Sequence, residues 1–158
     1  MKRSLGIGVG FGLTSGVITT LGVIVGLNAG TGSRLAVIGG VITIAFADAF
    51  SDALGMHIAQ ESQKNISHKT AWWSAMVTFF TKLVVALTFL VPILSFTSLS
   101  AIAVSIVWGL FIISVFSYLI AKRRAVNPWS AILEHLAIAM LVIIVTQLVG
   151  MGVARVFG

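Results

Sequence analysis

Apolar residues dominate this chain in five long blocks, roughly 5–27, 35–60, 71–94, 99–121 and 129–156, separated by short polar breaks. Each block exceeds the about 20 residues that a helix needs to cross the hydrocarbon of a bilayer at 1.5 Å per residue. The pattern predicts an all-α, polytopic membrane protein with five transmembrane helices in one domain, 1–158. The breaks carry their own signals. NAGTGSR (28–34) reads as a turn, because Asn, Gly and Ser together end a helix. QKNISHKT (63–70) is a short polar linker, and Trp72 and Trp73 after it suit the headgroup region. Pro92 stands near the far end of the third block. Asn127-Pro128 breaks the chain again, with Pro128 able to fill the first turn of the last helix. In the first block Gly12 and Gly16 are four apart, as are Gly22, Gly26 and Gly30, a spacing that lets another helix approach closely. Thr14, Ser15, Thr19 and Thr20 can bond back to their own helix or across to a neighbour.

Composition agrees with the block pattern. Of 158 residues, 58% are hydrophobic and only 9% charged, where a soluble domain has about a quarter charged; mean hydropathy is +1.11. The formal charge of +6 does not point to nucleic acid, because the basic residues sit in small clusters between apolar blocks. Those clusters set topology. Lys2, Arg3, Lys64, Lys69, Lys122, Arg123 and Arg124 fall on one side, seven of the ten basic residues, while Arg34 and Arg155 fall on the other. The positive-inside rule then puts the N-terminus in the cytoplasm and, after five spans, the C-terminus outside. MKRS leads into a retained first span and not a cleaved signal, and the expected location is the cell membrane of a prokaryote. There is no cysteine, so no disulfide or thiolate chemistry arises.

The candidate chemistry lies in the second block. Asp48, Asp52 and Met56 recur every fourth residue and so line one helix face, with Gln60 and Glu61 extending that stripe. Three of the four acidic residues are here. A carboxylate at membrane depth costs on the order of 3 kcal/mol, so the pair needs a partner or a wet cavity. Counted at 1.5 Å per residue, Asp52 lies roughly 12 Å deep, Asp48 roughly 18 Å, Lys82 roughly 16 Å and Glu134 roughly 8 Å. That common level suggests one polar cluster drawn from three helices. Carboxylates bind hard cations, and a thioether or imidazole nearby, from Met56 or His57, favours borderline transition metals. The site reading is therefore a divalent-cation or proton site. Asp48 and Asp52 would be the ligands, Met56 and Glu134 would assist, and Lys82 would be the charge partner. The competing reading is that Lys82 simply neutralises one carboxylate while the other is protonated or capped by Ser and Thr. His57, Glu61 and His135 are possible auxiliaries, although His57 and His68 lie near the surface, where a solvated histidine is the default. No hydrolase triad, phosphate loop or HExxH is present, so the chain is not expected to be an enzyme.

Taken in order, these segments resemble the vacuolar iron transporter family. GLTSGVITTLGVIVGL (12–27) resembles its first helix, ADAFSDALGMHIAQESQ (47–63) the end of its second, and NPWSAILEHLAIAMLVIIVTQLVG (127–150) its fifth. The aspartate that opens the family's first-helix motif corresponds to Phe11 here, and the long acidic insert of some members is reduced to residues 63–70. The resemblance implies export of ferrous or manganous ions from the cytosol, coupled to protons, with the ion as cargo and no permanent cofactor. It also implies a homodimer in membrane lipid that packs through the first helix, at Gly12, Gly16, Gly22 and Gly26. Two other functions fit the same residues: a non-transporting membrane scaffold of this fold, and a proton or cation channel.

Overall fold

A computed structural model describes residues 2–158, the side chains of residues 2, 3 and 98 excepted. The share of the orientation argument that rests on the side chains of Lys2 and Arg3 lies outside the described residues. The elements are α1 (Lys2–Thr31), α2 (Arg34–Glu61), α3 (His68–Thr88), α4 (Leu90–Ser95), α5 (Ser98–Arg123) and α6 (Pro128–Phe157). Helices α3 and α4 follow one another as a single span, so the described chain has five helical segments long and apolar enough to cross a membrane. The protein is all-helical and integral to a membrane.

Local chemistry explains the boundaries. The turn expected over 28–34 is shorter than its composition suggests, because α1 continues to Thr31. Gly32 then takes a φ of +60° and its N–H bonds the Asn28 carbonyl at 2.9 Å, a left-handed stop that suits glycine. Ser33 follows in extended backbone, and its hydroxyl accepts from the Ala36 N–H at 3.2 Å to start α2. Ser67 caps α3 the same way by accepting from Thr70, and Asn127 caps α6 by accepting from Trp129 with Pro128 as the first helical residue.

The interruption between α3 and α4 is a proline effect. Pro92 has no N–H to offer the carbonyl four residues back, and its ring crowds that turn. At the far end of α4 the last carbonyls point past the helix end, and Arg34 answers them. Its guanidinium donates to the Ile93 carbonyl from Nε (3.1 Å) and Nη2 (2.8 Å), and to the Leu94 carbonyl from Nη2 (2.7 Å). One arginine thus ties the start of α2 to the end of α4.

Helix α1 is the centre of the bundle. It packs against α2, α3, α5 and α6, whereas α6 packs against α1 and α5. Val17, Leu21, Ile24 and Val25 of α1 meet Val37, Val41, Phe89, Ile93, Ile113 and Ile143 in the core. Phe46, Phe50, Leu54 and Ile58 of α2 face outward, as lipid contact requires.

The glycines of α1 serve contacts within the chain. Gly12, Gly16, Gly22 and Gly26, expected to pack against a second copy, each approach another helix of the same chain, and Gly22 and Gly26 also line an open cleft. A methyl on Gly12 would stand 2.7 Å from the Thr78 carbonyl oxygen, and one on Gly16 would stand 3.3 Å from Lys82, both on α3. Gly22 and Gly26 face Thr146 of α6. Small residues permit close approach, but which helix accepts the invitation is set by the fold.

Candidate functional site

The close α1–α3 approach carries Lys82 into the middle of the bundle. Its side chain is 1% exposed, and Nζ contacts both Asp48 and Asp52 of α2. Ser15 of α1 completes the network: its hydroxyl accepts from Lys82 Nζ at 2.8 Å and donates to Asp52 Oδ2 at 2.7 Å. Asp52 is therefore doubly hydrogen-bonded. Asp48 is not. Its Oδ2 lies 2.5 Å from Nζ but is buried with no well-directed hydrogen bond, so the contact is one of charge alone. Two carboxylates share one ammonium, and the set of four side chains is a net negative charge when all are ionised. About a fifth of each aspartate side chain is exposed, 20% for Asp48 and 18% for Asp52, although Asp48 Oδ2 itself is buried.

The other sequence candidates lie elsewhere. Met56 is buried one turn along the same face and is not a member of the Lys82 network. Gln60 is also buried, with its Oε1 lacking a partner. Glu134 does not join the site; it is exposed on α6, across α1 from the aspartates. Depth counting gives a residue's level but not the direction it faces, and Glu134 matches the cluster only in level. His135 faces α5, where its Nδ1 meets the Ser117 hydroxyl at 2.7 Å. That hydroxyl already donates to the Ile113 carbonyl, so the histidine nitrogen is the donor. Phe11 points outward at 43% exposure, and the α1 side chain that reaches the carboxylates is Ser15, one turn on. Its neighbours Thr14 and Thr19 bond back to their own helix. Nothing in the local sequence separates these three hydroxyls except their angle around α1.

A second polar cluster forms where α2 ends and α3 begins. His57 is buried, against the expectation of a solvated ring, and its Nε2 lies 3.4 Å from Glu61 Oε2. His68 Nδ1 lies 2.9 Å from Glu61 Oε1, and the Trp72 indole donates to His68 Nε2 at 3.0 Å. Glu61 thus turns away from the aspartate stripe toward two imidazoles. The His57–Glu61 spacing of four residues was legible on α2. The arrival of His68 was not, since it depends on how residues 62–67 reverse the chain.

A cleft of about 550 Å³ between α1 and α6 is lined by residues such as Ile18, Gly22 and Val149 and contains none of the ionisable groups. Its apolar walls suit a lipid chain better than an ion. No protein-family model matches this chain, and no curated protein matches it.

Proposed function

We propose that this protein is a membrane transporter of divalent cations, iron or manganese, working as the vacuolar iron transporters it resembles work. The observation that carries the proposal is the Asp48 carboxylate: on a membrane-spanning helix, 2.5 Å from Lys82 Nζ without a directed hydrogen bond, and sharing that ammonium with Asp52. A group in that condition gains more from a doubly charged ion than from the ammonium it has. In the ion-free state Lys82 occupies the place between the two carboxylates. An entering cation takes Asp48 and Asp52 as ligands and displaces the ammonium. The two carboxylates then balance the charge of the ion, and the resemblance implies that ions are exchanged for protons. The N-terminus would be cytoplasmic, and the membrane that of a prokaryotic cell.

A second copy of the chain would cover the open side of the carboxylates. Beside them on α2, Gly39, Thr43, Ala47, Ser51, Gly55 and Ala59 recur every fourth residue, and all are exposed. They offer a small, flat face for close helix approach.

The deciding experiment is metal uptake into reconstituted vesicles with Fe²⁺ or Mn²⁺ and an internal pH dye. Flux and a matching proton movement are expected from the wild type, and neither from the Asp48→Asn, Asp52→Asn double variant. Unchanged flux in that variant overturns the assignment. One observation favours a different reading, a scaffold without transport: the Lys82 network ties α1, α2 and α3 together as a polar staple. In that case the double variant melts lower, and neither metal raises the melting temperature of the wild type.

A further inference from the structure

We propose that His57, Glu61 and His68 form a separate binding site for a transition-metal ion at the α2–α3 turn, one that uses neither Asp48 nor Asp52. The residues offer two imidazole nitrogens and a carboxylate whose ligand atoms all lie within 4.8 Å of one another. That donor set suits zinc or another borderline divalent ion. The spacing suits one as well. Ligands at about 2.0–2.1 Å from a tetrahedral ion stand roughly 3.3 Å apart. His57 Nε2 and Glu61 Oε2 are 3.4 Å apart, long for a hydrogen bond but apt for two ligands of one ion.

A second observation is independent of that triangle. The His57 side chain is 10% exposed, and its Nδ1 has no hydrogen-bond partner. With its proton on Nε2 the ring reaches Glu61 only across 3.4 Å and leaves the Nδ1 lone pair without a partner; with the proton on Nδ1 the Nε2 lone pair is free to ligate a cation that Glu61 shares. The end of α2 also supplies the negative pole of its helix dipole at this point.

Trp72 makes the site reportable. The indole can only donate, so the bond it makes to His68 Nε2 fixes that nitrogen as the acceptor and places the ring proton on Nδ1, pointing at Glu61. An ion ligated by Nδ1 moves that proton to Nε2, where it faces the indole N–H. Two donors then oppose each other, and the Trp72–His68 bond must break. Metal binding is thereby coupled to release of an indole that lies 4.3 Å, centroid to centroid, from His57.

The test is a Zn²⁺ titration of the full chain in detergent, followed by calorimetry and by tryptophan emission. A saturable isotherm with a matching emission change is expected. Glu61→Gln and His68→Ala, both at exposed positions, should each weaken binding by about tenfold or more. Trp72→Phe should keep the heat and lose the emission change, while the Asp48→Asn, Asp52→Asn variant should keep both. This last arm separates the site from the transport reading, since either can fail without the other. Zinc binding that is absent, or undiminished in Glu61→Gln and His68→Ala, overturns the proposal, as does emission that stays constant while heat is released.

Discussion

Two polar clusters join the same pair of helices at different heights, and they differ in what surrounds them. At mid-span, Lys82 is enclosed and holds Asp48 and Asp52 together with Ser15 from a third helix. At the turn, Glu61 and His68 are open, at 51% and 66% side-chain exposure, and only His57 is enclosed. Water near the turn can replace any partner that leaves. Replacement is harder at mid-span, where Lys82 is enclosed and a charge without its counter-charge is costly. The deep cluster is therefore part of how the helices stay assembled, whatever else it does. The shallow one is free to exchange partners without cost to the fold.

Lys82→Met should have the largest effect. It leaves Asp48 and Asp52 close together with no cation, and loss of one partner from a buried ion pair costs about 3–5 kcal/mol. Melting in detergent should drop sharply. Adding Asp48→Asn and Asp52→Asn to the same chain should recover much of the loss, because no unpaired charge is left. An unshifted melting temperature for Lys82→Met would erase the contrast between the two clusters.

Gly12→Ala tests what brings Lys82 inward. The added methyl meets the Thr78 carbonyl, a backbone atom that cannot swing aside, so α1 and α3 must separate. A loss of about 1–3 kcal/mol is expected by the same melting assay. Ser15→Ala removes one donor and one acceptor from the deep network and should cost about 1.5 kcal/mol. Glu61→Gln closes the series. Without metal its melting curve should overlay that of the wild type, and a clear drop would show the turn cluster to be structural.

Much of this was legible before the fold. Run length gave the five spans, and Asn127-Pro128 marked a helix start that the structure retains, whereas the linker expected over 63–70 ends earlier, at the Ser67 cap of α3. The four-residue spacing of Asp48 and Asp52, with the depth of Lys82, pointed to one level in the bundle, and the three do meet. Depth failed for Glu134 because height along a helix carries no information about azimuth. The glycines left a related question open: a small surface announces that something comes close, without saying whether it is α3, α6 or another molecule. Ser15 and Thr14 are adjacent hydroxyls with the same chemistry, yet one crosses to Asp52 and the other bonds the Gly10 carbonyl.

What the sequence determined alone is a count and a cost: five apolar helices, and a few charges too expensive to leave in lipid. Hydrophobic runs and ionisation chemistry are properties of the residues, so they need no coordinates. The tertiary structure decided which faces meet, setting Lys82 between two carboxylates and folding His68 back onto Glu61. Partners in a helical bundle are chosen by rotation and by the path of turns, and neither is written in any single stretch of the chain.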